Sequence, residues 1–258
     1  MSTGLPPMRI EGIGLWSAQA PSWPGYRALL REGTAPTPAT RPAPALLPPN
    51  ERRRAPDTVL VALEAAQAAC ADAGRDPSTL PSVFASTYGD LAITDHMCQA
   101  LASAPLELSP TRFHNSVHNA AAGYWTIGTG AMEPATALSA GSASFAMGLL
   151  EALAQLQAGA AAVLLVGYDG ASPGPLHEVA SSEGLLGGAL VLARDAHAGP
   201  RLLLQLEDGE APPAPAGVAD GNAMAPMLAL FDALARGAGT ALLPAGRGRR
   251  LRLELAHG

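Results

Sequence analysis

The chain has 258 residues, 48% of them hydrophobic and 15% charged, which is enough apolar content for one large domain or two small ones. A net charge of −6 with no lysine argues against non-specific nucleic-acid binding, and two cysteines are too few for a disulfide framework or a zinc site. No basic-then-apolar leader opens the sequence, and its most apolar run, "AGAAAVLLVG", is half the length of a bilayer span, so a soluble cytoplasmic protein without membrane insertion is expected.

In chain order, "MRIEGIG" reads as an opening strand and "WPGYRALLREG" as a short helix closed by Gly33. The Pro/Ala-dense stretch "TAPTPATRPAPALLPPNERRR" reads as an extended surface segment, its Arg52-Arg53-Arg54 triplet a solvated face or a patch for an acidic partner. "APDTVLVALEAAQAACADAG" has helical periodicity, with Asp57 as N-cap and Gly74 as stop. "PSVFAST" reads as a buried strand and "LAITDHMCQALAS" as a second helix. "SPTRFHNSVHNAAAGYWTIGTG" begins as a polar loop and becomes helical near Ala120. "ATALS" is a strand, Ser142 to about Gln157 a helix, and "AVLLVGYD" a buried strand. Two further strands, "GLLGGALVLARD" and "RLLLQLED", precede a second Pro/Ala-rich connector, one last helix in "NAMAPMLALFDALARG" and a closing strand in "RRLRLELAHG". Strands alternating with helices predict an α/β fold, a sheet flanked by helices on both faces.

The small-residue turn in "ALSAGSASF" stands between a strand and a helix, where enzymes often expose a nucleophile. Its tightest position is Gly141, between Ala140 and Ser142. Ser142 reads as the cap of the following helix; the alternative is a serine-dependent acyl hydrolase or acyltransferase using Ser142 or Ser144 with His114 or His118. If helical, His114 and His118 would share a face, but no third ligand of the right type lies nearby, so no metal is expected and "HNSVHN" reads as a hydrogen-bonded loop or interface. Cys70 and Cys98 both read as core thiols. No phosphate or dinucleotide loop stands between a strand and a helix, and no cofactor is expected.

From about Met8 to Arg194 the order of pieces resembles the β-ketoacyl synthases of the thiolase-like superfamily. The resemblance rests on "MRIEGIGLWSA", "YRALLREG", "VFASTYGD", "FHNSVHNAAAGYWTIGTG", "ALSAGSASFAMGLLEALAQLQAGAAAVLLVGYD" and "GGALVLARD". It implies a thiolase-like layered fold whose first half, a mixed sheet flanked by helices, is complete and whose second half is truncated to about one helix and two strands. The chain would be a single ketosynthase-like domain, residues 1–195 forming the N-terminal-type half and 196–258 a shortened remnant. A ketosynthase has its acyl-accepting cysteine where Gly141 stands, and two histidines in glycine-rich loops of its second half. After Arg194 only His197 and His257 remain, in no such loop.

The resemblance therefore implies a non-catalytic partner, similar to the chain length factor of aryl polyene clusters. Such a partner forms a heterodimer with an active β-ketoacyl synthase, meets acyl carrier protein through that complex and helps wall the acyl tunnel. The candidate interface and tunnel residues are Phe113, His114, Asn115, Val117 and His118, with Tyr124 and Trp125 behind them; Tyr124 and Trp125 read equally as core. A homodimeric acyl-binding protein is a third possibility.

Overall fold

The computed structural model describes residues 5–194 and 199–256. The order of elements is β1 (Met8–Ser17), α1 (Trp23–Glu32), α2 (Pro49–Arg54), α3 (Asp57–Ala73), β2 (Ser82–Ala85), α4 (Leu91–Ser103), α5 (Pro110–Asn115), α6 (Ala120–Thr129), β3 (Ala135–Leu138), α7 (Ser144–Gln157), β4 (Ala162–Asp169), α8 (Leu176–Val179), β5 (Leu186–Ala193), β6 (Arg201–Asp208), α9 (Leu228–Arg236), β7 (Thr240–Pro244) and β8 (Arg249–Ala256).

All eight strands join one mixed sheet in the order β3-β2-β4-β5-β1-β6-β8-β7. β2 runs parallel to β3 and β4, and the remaining pairs are antiparallel. β4 and β5 are buried at every position, which is why they read as unbroken apolar runs and not as alternating ones. The C-terminal ends of β1, β2, β3 and β4 therefore gather at one end of the sheet, the usual place for a site in an α/β fold.

One face is covered by α3 and α6 and the other by α1, α7 and α9. Helix α3 is almost wholly enclosed: Leu60 and Leu63 are fully buried, each stabilising the fold by about 1.5–3 kcal/mol. It lies against β1 at a distance only glycine permits. A Cβ on Gly14 would stand 2.0 Å from the Ala65 carbonyl oxygen, and one on Gly12 2.2 Å from that of Ala69. On the opposite face Phe231 of α9 packs against Phe145 of α7, with ring centroids 6.1 Å apart.

Several expectations need correction. The Pro/Ala-rich stretch is not a free extended loop. It ends in α2 and is tied down: Arg41 Nε donates to Asp57 Oδ1 (2.7 Å), the Leu46 amide to Gln67 Oε1 (3.0 Å), and Leu47 is buried. Asp57 is thus the first residue of α3 and an ion-pair partner, not its cap, which is Pro56. Pro226 interrupts the last helix, which starts at Leu228 after a 3-10 turn. Among the described residues, the segment beyond β5 holds three strands, not two, because "TALLP" pairs with β8 as β7. His197 and His257 lie outside the described residues.

Candidate functional site

β3 leads from the sheet into a turn, Ser139–Ala143, and then into α7. Gly141 forms the apex with φ +58°, the left-handed region that suits glycine. Around it the backbone closes on itself: the Ala143 amide donates to the Ala140 carbonyl (3.1 Å) and the Ser144 amide to that of Gly141 (3.0 Å). Ser144 Oγ donates to the Gly141 carbonyl (2.7 Å) and accepts from the Ala140 amide (2.9 Å). Ser144, 1% exposed, therefore organises the turn. Ser142 does not cap the helix; Ala143 occupies the cap position and Ser142 is exposed. Ser139, Ala140 and Gly141 are exposed as well.

The turn is braced from β2. Ser139 Oγ donates to the Thr87 carbonyl (2.9 Å). The Thr87 and Tyr88 amides converge on the Asp169 carboxylate (2.9 and 3.2 Å), as does Ser86 Oγ (2.6 Å). Asp169 is fully buried at the end of β4. Burial pushes its carboxyl above the usual range, and the bonds from Ser86, Thr87 and Tyr88 offset part of that rise. Asn222 Nδ2 donates to the Asp169 carbonyl (3.3 Å) and to that of Glu183 (2.8 Å), linking the segment before α9 to the same end of the sheet. Sequence reasoning missed Asp169 and Asn222. The signal for Asp169 was there: a lone acid closing a fully apolar strand.

α5 stops at Asn115 and α6 begins after Asn119, so His114 and His118 do not share one helix. His118 Nε2 lies 3.0 Å from the Leu138 carbonyl, the last of β3, and ties the α5–α6 connection to that strand. His114 is exposed, and among the described residues no hydrogen bond joins either histidine to Ser142 or Ser144, and no group of three His, Cys, Asp or Glu could hold a metal. Phe113 (63% exposed) and Val117 (44%) point outward. Asn115 and Trp125 point inward and form no surface. Asn115 accepts from the Tyr124 hydroxyl (3.2 Å), and Trp125, fully buried, packs on Phe84. Cys70 is buried and its thiol is pushed up to about 12, but Cys98 is exposed, because α4 buries none of its residues. A groove of about 580 Å³ lies between the Leu46–Pro48 segment with α2 and the facing α5–α6. No helix among the described residues is long and apolar enough to cross a membrane.

Residues 26–248 match the family model described as the N-terminal domain of β-ketoacyl synthase. None of the curated proteins matches the chain. Among solved structures, the chain is similar to one in the complex of the ketosynthase ApeO with its chain length factor ApeC from Xenorhabdus doucetiae, at 24% identity and TM-score 0.74, covering 96% of this chain and 98% of that one. It is similar to a chain of the ishigamide ketosynthase/chain length factor at 16% identity and TM-score 0.75, covering 98% and 100%. It also resembles a chain of AntDE:AntF, a type II polyketide synthase acyl-carrier protein in complex with its ketosynthase bound to the hexaketide, at 11% identity and TM-score 0.72, covering 98% and 99%. With the family model spanning most of its length and the thiolase-like architecture around the Gly141 turn, the chain belongs to the β-ketoacyl synthase family.

Proposed function

We propose that the protein is a non-catalytic ketosynthase partner, a chain length factor that pairs with an active β-ketoacyl synthase and shapes its acyl tunnel in aryl polyene or related polyketide biosynthesis. The observation that carries this reading is the Gly141 turn. The position where a ketosynthase would hold its nucleophile has no side chain, and the buried hydroxyl beside it, Ser144, is spent on the turn's own backbone. Thioester formation needs a thiol with an adjacent base; Gly141 has no side chain, and no histidine is hydrogen-bonded to the turn among the described residues, which supports this reading. Ser144 is committed to the turn, and among the described residues no histidine is hydrogen-bonded to Ser142 or Ser144, which weighs against a serine-dependent hydrolase or acyltransferase.

The sheet supports one location for the partner surface. β3 is its outer strand on the turn side, with one edge open, and an open edge is a template for pairing unless another chain covers it. Exposed apolar side chains flank it: Ile127 and Met132 just before the strand, Phe113 and Val117 across the connection that His118 pins to β3. We assign this face to the ketosynthase, with residues 1–195 and 196–258 acting as one domain behind it. Acyl carrier protein would be met through the complex, in the cytoplasm, and a homodimer would form only in the ketosynthase's absence.

The test is co-expression with a ketosynthase encoded beside it, followed by size-exclusion chromatography with light scattering. The expected result is a stable heterodimer with an interface of about 1,600 Å² or more. Intact mass after incubation with acyl-loaded carrier protein should show no adduct on this chain. A stable monomer indifferent to the ketosynthase, or a covalent acyl adduct, overturns the reading.

A further inference from the structure

A second groove, of about 570 Å³, lies at the C-terminal ends of β1 and β4, between the first turns of α3 and α4. It shares no residue with the Gly141 turn or with the face assigned to the ketosynthase, and its size is within the range of small-ligand sites, roughly 300–1,000 Å³. Ala55, Pro56, Ile93 and Leu185 give it apolar walls. One donor in it is unmatched. Trp16 lines the groove and is 3% exposed, and its indole N–H has no hydrogen-bond partner among the described residues. The same group of Trp125 is sealed from solvent; that of Trp16 is not, and the groove is the opening its ring lines. An N–H held at that depth calls for an acceptor inside the groove.

The groove also holds two carboxylates, and neither calls for a cation. Asp57 Oδ1 accepts from Arg41 Nε (2.7 Å). Asp90 Oδ2 accepts from Thr58 Oγ1 (2.6 Å) and its Oδ1 from the Ile93 amide (2.8 Å), which sets its charge at the N-terminus of α4. Each Asp90 oxygen keeps a further lone pair, so the side chain can still accept a bond from a ligand while its charge repels an anion. A donor and an acceptor in one apolar groove, with the charges already met, match a neutral group that carries both. A carboxamide does: its oxygen accepts and its NH2 donates.

We infer that this groove binds a small neutral carboxamide with an apolar body, its carbonyl oxygen on the Trp16 indole N–H, its NH2 on Asp90 and its body against Ile93 and Leu185. The binding needs only this chain, with no part for the ketosynthase.

The experiment is an NMR titration of the isotope-labelled full chain with benzamide, acetophenone and benzoate. The three tryptophans give three indole N–H signals, and Trp16→Phe identifies that of Trp16. Benzamide should move this signal saturably. Acetophenone keeps the carbonyl but donates nothing, and should bind about tenfold more weakly. Benzoate keeps the shape but brings a negative charge to Asp57 and Asp90, and should leave the signal in place. Asp90→Asn preserves the α4 cap, and should weaken benzamide about fivefold while leaving acetophenone unchanged. Ala92→Leu, at an exposed position in the first turn of α4, puts its side chain into the groove and keeps a good helix former there; it should weaken benzamide and acetophenone alike, with a thermal melt confirming the fold. A Trp16 signal indifferent to benzamide overturns the proposal. So does acetophenone or benzoate binding as tightly as benzamide, or benzamide binding that survives Ala92→Leu unchanged. Should Trp16→Phe fail to fold, the Asp90 and Ala92 variants decide the matter by the same readout.

Discussion

Installing a cysteine at the apex of the turn, Gly141→Cys, separates the architecture of this site from its chemistry. The backbone there is left-handed, and a Cβ would meet no atom within 4 Å, so the change brings strain but no overlap. A non-glycine residue in that region costs about 1–2 kcal/mol. The smaller conformational freedom of the unfolded chain returns about 0.4–1 kcal/mol. The net loss of about 1 kcal/mol corresponds to a fall in Tm of about 2–4 °C for a chain of this size. The folded variant should carry a reactive thiol on the exposed turn. Cys98 is also exposed, so the experiment belongs in a Cys98→Ser background; Cys70 is buried and its thiol is held protonated. In that background intact mass should record rapid alkylation at one site. With acyl- and malonyl-loaded carrier protein the variant should still form no condensation product, since His118 is engaged on the Leu138 carbonyl and no histidine is bonded to the turn among the described residues. Condensation restored by this single change would refute the reading that the second half lacks the groups condensation needs. A fall in Tm well beyond 4 °C would refute the account of an open turn.

Phe113→Asp should weaken the complex with the ketosynthase by about 2 kcal/mol or more, roughly thirtyfold in Kd, by placing a charge within an apolar contact; calorimetric titration reads this, and an unchanged Kd removes Phe113 from the interface. Gly14→Ala should destabilise the fold by about 3 kcal/mol in urea titrations, because the methyl meets the rigid α3 backbone at 2.0 Å. Gly148→Ala meets Cδ1 of the buried Leu165 at 2.7 Å, a side-chain end that can shift where backbone cannot, and helix propensity returns up to about 1 kcal/mol, so a loss of about 1 kcal/mol, well below that of Gly14→Ala, is expected. Burial raises the carboxyls of Glu64, Asp169 and Asp232. Each therefore contributes most below its unfolded value near about 4 and loses that contribution as pH rises through its higher folded value. Calorimetric Tm should fall as pH rises above about 4.5, and Glu64→Gln should flatten part of the fall; an unchanged slope in the variant counts against Glu64.

What was legible in the sequence is what periodicity and glycine record. α3 and β4 carry unbroken physical signatures, and the left-handed stops at Gly33 and Gly74 fall where a residue without Cβ is needed. β7 was not legible, because five residues ending in proline carry too little pattern to separate a strand from a turn. The roles of Ser142 and Ser144 differ from the sequence expectation for a related reason. Both suit a helix start, and the choice between them depends on the left-handed step at Gly141, which shifts the hydroxyl that faces the turn by two residues. Apolar neighbours in α4 predict a core position for Cys98, yet that helix buries none of its residues. The Asp169 brace joins β4 to the residues just after β2, more than 80 positions apart in the chain, and no local pattern can announce such a meeting.

β1 is made first and finished late. It lies inside the sheet between β5 and β6, and its Arg9 pairs with Ala193 and Arg201. A ribosome adding roughly 5–20 residues per second needs roughly 10–40 s to carry the chain from one partner to the other. Through that interval an apolar strand has both edges unpaired, the condition under which nascent chains associate with one another. Yield in a heterologous host should therefore depend on chaperone supply and on elongation rate across residues 20–190. Fragments ending before β5 should accumulate as inclusion bodies, however well their individual helices form.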